Sequence, residues 1–230
     1  MSSDSHRVFK DRLYEQLARV GKALGNSHRI EILELLAQSE RTVESLANEG
    51  GLSVANASQH LQGLREAGLV ESRKQGLFVH YRLADPTVFE LVRSTRTVAE
   101  KRLAELDRLV REHFGDRSDP EPVRFEELLR RARKGDVVIL DTRPAREFES
   151  GHIAGALSVP VEELRYRLRK LPKNKEYVAY CRGPYCIYAD QAVELLRKSG
   201  RRARRLSDGF PEWKAAGLPI ESTAEEGSQP

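Results

Sequence analysis

Eight residues without an aliphatic or aromatic side chain, Gly115-Asp116-Arg117-Ser118-Asp119-Pro120-Glu121-Pro122, separate two stretches that follow different hydrophobic periods. Two prolines and a glycine in so short a polar run mark a linker or hinge. A core is not expected to run across it. The 230 residues therefore divide into two modest domains, each near the roughly 100 residues common for a domain. Before the break, apolar residues recur at helical spacing: Val8, Leu13, Leu17, Val20 and Leu24, then Ile30, Leu33, Leu36 and Ala37, then a long run from Val88 to Val110. After it, short β-like runs (Val137–Leu140, Tyr177–Tyr180) alternate with helical ones (Glu162–Leu171, Ala189–Lys198), the order of a parallel α/β sheet. No run approaches the roughly 18 apolar residues of a spanning helix, so no membrane partner is expected. The first residues lack the apolar stretch of a signal peptide, which points to a cytoplasmic protein.

Within the first half, Thr42 is placed to cap a helix that stops at Gly50-Gly51, and Ser53 to cap a second helix over 54–67. Leu52, Val54, Leu61 and Leu64 supply a shared core. This is helix-turn-helix spacing. On the second helix, Asn56, Ser58, Gln59, His60, Gln62 and Arg65 form a polar set suited to base edges and phosphates. His60 is balanced between a DNA contact and a packed histidine. Residues 69–74 and 77–83, around Gln75-Gly76, read as a β-hairpin that carries Arg73, Lys74 and Arg82, basic groups suited to a phosphate backbone.

The order of these elements resembles the ArsR-type winged-helix repressors over roughly residues 10–114. The likeness is carried by Asn26-Ser27-His28-Arg29-Ile30-Glu31-Ile32-Leu33, Ala57-Ser58-Gln59-His60-Leu61 with Leu64, Ala67-Gly68-Leu69-Val70, and Gly76 with Tyr81-Arg82-Leu83. The resemblance implies a homodimer, joined through the first and last helices, on an inverted-repeat double-stranded DNA operator. Many relatives hold metal through a Cys-x-Cys where this chain has Thr42 and Glu44. The alternative site on the last helix needs Asp and His pairs, and here that helix has only Asp107 and His113 without the spacing. No cysteine occurs in the first 180 residues, so no thiolate metal site is expected there, and no cofactor.

Both cysteines lie in one stretch of the second half, Cys181-Arg182-Gly183-Pro184-Tyr185-Cys186, between a predicted strand and a predicted helix. Backbone N–H groups and the positive end of the helix dipole favour an anion on Cys181 there, and Arg182 adds positive charge. Four separated motifs resemble the rhodanese family over roughly 123–221: Leu140–Phe148, Gly151–Ala156 with Pro160, the 181–186 loop, and Leu206–Trp213 with Gly217-Leu218-Pro219. The resemblance implies that Cys181 accepts sulfane sulfur from a donor such as thiosulfate or a polysulfide and passes it on. Ile187 stands where the phosphatase relatives need Arg, which disfavours phosphate chemistry. A cysteine at the sixth loop position departs from the usual thiosulfate sulfurtransferases, and Asp208 stands where the family commonly has Gly. Two readings of Cys186 stand open: a thiol that resolves a Cys181 persulfide, or a small packing residue. Asp141, Arg143, Glu147 and His152 read as a structural network rather than as catalysts.

The expected architecture is an α+β winged helix-turn-helix domain (1–115), a linker (116–122), an α/β rhodanese-like domain with a parallel sheet (123–221) and a disordered tail (222–230). The expected function is a DNA-binding regulator, a repressor by family habit, that senses reactive sulfur or redox state through Cys181. The alternatives are a sulfurtransferase whose first half serves dimerisation, and a passive interaction module. Charge discriminates little: residues 1–115 carry 17 Lys+Arg against 16 Asp+Glu, and residues 116–230 carry 22 against 19. DNA binding would rest on local placement of Arg65, Arg73, Lys74 and Arg82.

Overall fold

The first apolar stripe forms α1 (Ser3–Leu24) and the second forms α2 (Ser27–Gln38), whose N-terminus is capped by Asn26 accepting from the Arg29 N–H at 3.1 Å. In this computed structural model, which describes residues 3–115 and 121–223, a short strand β1 (Arg41–Thr42) follows. Then come α3 (Val43–Glu49), α4 (Val54–Glu66), the hairpin β2 (Val70–Gln75) and β3 (Phe78–Leu83), and α5 (Pro86–Arg102). Thr42 caps α3 and Ser53 caps α4, each accepting from a backbone N–H three residues on. Gly51, at φ +62°, makes the turn between these helices. The sheet order is β1-β3-β2, all antiparallel. Ile32, Leu33, Leu46, Leu61, Leu64, Val88 and Val92 close one core beneath α4 and the hairpin.

The long apolar run from Val88 to Val110 does not form one helix. Leu103 leaves the helical region (φ −110°, ψ 97°), and α6 (Ala104–Phe114) starts anew. The chain divides into two compact units, Met1–Arg96 and Thr97–Pro230, with the division inside α5. Of the expected linker, residues 116–120 lie outside the described residues, as do residues 224–230 of the expected tail.

In the second unit, α7 (Phe125–Arg133) precedes β4 (Val137–Asp141), α8 (Ala145–Ser150), β5 (His152–Ile153), β6 (Leu157–Ser158) and α9 (Val161–Arg167), which ends in a single tight turn at Leu168–Lys170. Then follow β7 (Glu176–Tyr180), α10 (Tyr188–Lys198), β8 (Arg202–Arg205), α11 (Phe210–Ala215) and β9 (Ile220–Glu221). The parallel sheet has the order β6-β4-β7-β8, and β5 pairs with β9 antiparallel beside it. Side chains alternate through β7. Tyr177 and Ala179, continued by Cys181, face one core layer with Leu164, Ala192 and Leu196, while Val178 and Tyr180 face the other with Leu128, Phe210 and Trp213. Both faces are buried, as a parallel sheet requires. No described helix is long and apolar enough to cross a membrane.

β8 carries three arginines in four residues and reads as a charged surface rather than a strand. Arg204 turns that charge inward. It donates to Glu176 at 2.9 Å and pairs with Glu127, while Arg131 donates to Glu176 at 2.7 Å. Held chiefly by its hydrogen bond from Arg131, Glu176 has a pKa of about 2.

Candidate functional site

On α4, the sequence-predicted Asn56, Ser58, Gln59, Gln62 and Arg65 are exposed, while Ala57, Leu61 and Leu64 are buried. The helical period thus separates the residues that hold the helix from those that can meet a ligand. His60 is half-buried, its ring 5.6 Å from that of His28. Burial first, and then the adjacent His28 and Arg29, lower the pKa of its imidazole from the ordinary histidine value. Gln62 donates to Glu66 along the same helix at 3.1 Å.

The wing basic residues are exposed but differently engaged. Arg73 pairs with Glu40 at 2.7 Å and donates to Gln75 at 2.9 Å, and Arg82 pairs with Glu71 at 2.8 Å. Lys74 makes no ion pair among the described residues. Two of the three wing cations are therefore held by carboxylates. Sequence reasoning missed Arg19, on α1, which donates to the Glu66 carbonyl at 2.6 Å and closes the C-terminal end of α4. Nothing local marks that residue, which lies 47 positions away.

The second constellation surrounds the two free thiols. Residues 181–187 link the C-terminal end of β7 to the N-terminus of α10, the edge of an open α/β sheet where ligands bind. Cys181 is 3% exposed and Cys186 is half-buried. The Cys181 thiol approaches the carbonyls of Cys186 at 3.5 Å and Gly183 at 3.8 Å, and the Cys186 N–H donates to the Gly183 carbonyl at 3.2 Å. The loop is therefore closed on itself.

Two contacts from distant sequence fix the loop. Arg182, expected to supply free positive charge, is ion-paired with the fully buried Glu147, its Nε 2.9 Å from the carboxylate. Gly209 packs so tightly that a Cβ there would stand 2.4 Å from the Gly183 nitrogen. The adjacent Phe210 N–H donates to the Cys181 carbonyl at 3.1 Å. Beside this, Asp141 accepts from Arg143 and from the Tyr180 hydroxyl at 2.6 Å each, and Arg143 also donates to the Gly151 carbonyl at 2.7 Å. His152 is buried, stacked 3.5 Å from Phe148 and bonded to that residue's carbonyl at 2.8 Å. Asp141, Arg143, Glu147 and His152 thus form a buried scaffold.

The two thiols are perturbed in opposite directions. Burial pushes the Cys181 thiol well up. Cys186 is lowered to about 7, first by the hydrogen bond from the Cys181 thiol, helped by the N–H groups of Arg182 and Tyr188 and by the Arg182 charge. The lowered thiol is Cys186, whereas the strand-to-helix position alone pointed to Cys181. Among the described residues, no group of three or more His, Cys, Asp or Glu side chains is placed to hold a metal ion.

Two family descriptions match separate parts of the chain. The family description "Bacterial regulatory protein, arsR family" matches residues 26–72, and "Rhodanese-like domain" matches residues 124–216. The HTH-type transcriptional regulator Rv0324 of Mycobacterium tuberculosis is 43% identical over 224 residues, 97% of each chain. A sulfurtransferase of Allochromatium vinosum is 35% identical over 86 residues, 37% of this chain and 78% of that protein. Among solved structures, a homodimeric winged helix-turn-helix DNA-binding domain from Mycobacterium bovis is 46% identical, covering 41% of this chain and 87% of its own, with a TM-score of 0.39.

Proposed function

Because the chain belongs to the ArsR family of bacterial transcriptional regulators and carries a C-terminal rhodanese-like domain, we propose that it binds its operator as a homodimer and senses reactive sulfur through Cys181 and Cys186. One observation carries the sensor reading. The chain's only two thiols occupy one short loop closed on itself at the C-terminal end of a parallel strand, with Cys181 buried and the half-buried Cys186 thiol lowered to about 7. A lowered thiol in such a loop is the mark of a reactive cysteine rather than of a packing one.

The chemistry follows from that pairing. A polysulfide delivers one sulfane sulfur to Cys181, whose proton passes to Cys186, and leaves one sulfur shorter. Cys186 then attacks Cys181 Sγ and expels the added sulfur as hydrosulfide, which takes the proton. Two thiols are oxidised to a disulfide and one sulfane sulfur is reduced to sulfide. A bond between the loop's two ends replaces the Cys181 thiol's approach to the Gly183 and Cys186 carbonyls, and so changes the loop's conformation. That change shifts the population of DNA-binding states.

Dimerisation is supported by an uncovered apolar stripe. Phe9, Leu13 and Leu17 recur every four residues along α1 and are 57%, 43% and 59% exposed. A second copy of the chain is what such a stripe fits. On the DNA side, Asn56, Ser58, Gln59, Gln62 and Arg65 would face the major groove, with Arg73, Lys74 and Arg82 on the backbone.

The test is operator affinity at fixed salt, using DNA from upstream of the protein's own coding region, with and without polysulfide. Treated and reduced protein should differ, and the difference should vanish in Cys181→Ser. Equal affinities would remove the sensor. A second reading, a sulfurtransferase that turns over on Cys181, is favoured by the likeness to the Allochromatium sulfurtransferase. Sustained sulfur transfer by wild type, absent in Cys181→Ser and with no effect on DNA binding, would establish it instead.

A further inference from the structure

The two ends of the parallel sheet carry different connections. At one end, β7 leads into α10 through the cysteine loop; at the other, α7, α9 and α10 lead back into β4, β7 and β8. Val137, Glu176 and Arg202 stand side by side in those strands. The segments that precede them, residues 134–136, 171–175 and 199–201, therefore meet at that second end. Side chains tie them together: the Lys175 ammonium donates to the Gly135 carbonyl, and Arg201 donates to the Leu168 carbonyl and, at 3.1 Å, to that of Leu171. Glu176 to Cys181 is five residues of extended chain, so this end lies about 16 Å from the thiols.

Its surface is cationic. Lys134, Arg169, Lys170, Lys173, Arg197 and Arg202 are exposed there, and none has an ion pair among the described residues. Buried Arg201 is spent on carbonyls and Ser199 and meets no carboxylate, so its charge is not cancelled either. The three connections contain a single acidic residue, Asp136, and Glu176 beside them is already held by Arg131 and Arg204. Helix C-termini attract cations, which accounts for Lys134 and Arg197. It does not account for Lys173, in an irregular connection, or for Arg202, at the start of a strand.

We propose that this cationic end of the rhodanese-like domain is a second DNA contact, which holds the phosphate backbone without reading bases. The inference goes beyond the contacts assigned above to α4 and the hairpin, and it rests on the reading of the chain as a DNA-binding regulator. Charge identifies the occupant. Residues 1–115 are nearly balanced, at 17 Lys+Arg against 16 Asp+Glu, and Arg73 and Arg82 of the hairpin are held by Glu40 and Glu71. Sequence-independent affinity for a duplex comes from uncommitted cations that displace its counterions, and this end supplies them. No large apolar side chain is exposed in the three connections, as insertion into a lipid surface would need.

The full-length protein is titrated over a range of salt with duplex DNA from upstream of its own coding region and with an unrelated duplex of equal length. The triple variant Lys170→Ala/Lys173→Ala/Arg202→Ala should weaken binding to both duplexes by the same factor. Its salt slope should fall by about 3 for each protomer whose cationic end reaches the duplex. The preference for the upstream duplex should stay at the wild-type value, because phosphate contacts carry no sequence. Gln59→Ala, on α4, should do the reverse: lower the preference and keep the slope. Lys170→Arg/Lys173→Arg/Arg202→Lys, which keeps the charge, should bind like wild type. The substituted side chains are exposed and unpaired, so the thermal melting temperature of the triple variant should not move. A wild-type slope in the triple variant would overturn the second contact and leave the DNA-binding reading intact. If that variant instead lost binding to phosphatidylglycerol vesicles at an unchanged DNA slope, the surface would belong to a membrane. A wild type that binds neither duplex even at low salt would overturn both readings.

Discussion

The α4 face exposes its polar side chains, whereas the 181–186 loop buries one of its thiols. On α4 the polar residues point out and only Ala57, Leu61 and Leu64 are buried. In the loop the Cys181 sulfur is itself buried, its flanking arginine is held by a buried carboxylate, and its backbone touches another segment. The first site is a surface carried by a scaffold; the second is part of the scaffold. A substitution on α4 should therefore change binding and spare stability, whereas one around the loop should change both.

The strongest challenge to that contrast is Glu147→Ala. It leaves Arg182 without its buried partner and should cost about 3–5 kcal/mol. Chemical denaturation of the full chain checks this, and a loss under 1 kcal/mol would show that water already reaches the pair. Gly209→Ala comes next. Its Cβ meets backbone rather than a movable side chain, and about 3 kcal/mol is expected. Its counterpart in the first unit, Gly51→Ala, meets no neighbour within 4 Å and faces only the strain of its φ of +62°, about 1 kcal/mol. Equal losses at the two glycines would erase the distinction between scaffold and surface.

Arg65→Ala should leave stability within about 0.5 kcal/mol while lowering the salt slope of DNA binding by about 1. Denaturation and binding measured on the same variant decide it.

Acidity separates the two kinds of charge in a gentler way. The Glu176 pKa is about 2 instead of the ordinary 4.5. A carboxylate held low in the folded state stabilises it above pH 4.5, and that contribution fades as pH falls towards 2. Glu176→Gln should thus lower the melting temperature near neutrality and have progressively less effect below pH 4.5. In the loop, Cys186 should alkylate with a rate that rises through about pH 7, and Cys181→Ala, which removes the hydrogen-bond donor, should move that rise upward.

Local chemistry made the α4 side of the comparison legible. Thr42 and Ser53 are caps by residue type, Gly51 turns where only glycine is comfortable, and the 3.6-residue period separates Leu61 and Leu64 from Gln59 and Gln62. The paired cysteines, and the strand and helix around them, were equally visible. Other features left no local sign. The break at Leu103 interrupts an apolar period that continues on both sides. The arginines of β8 resemble a solvated surface until Glu127 and Glu176 arrive from elsewhere.

What the sequence by itself determined is the two-part architecture, the recognition helix, the wing and the identity of the only two thiols, because each depends on residue type, spacing or composition along the chain. What only the tertiary structure decided is how those thiols behave. Glu147 reaches Arg182 across 35 positions, Gly209 presses on Gly183, and the fold buries Cys181 while lowering the Cys186 thiol. Desolvation and hydrogen bonding act on distances in space, and those distances arise from packing that neighbours in sequence do not encode.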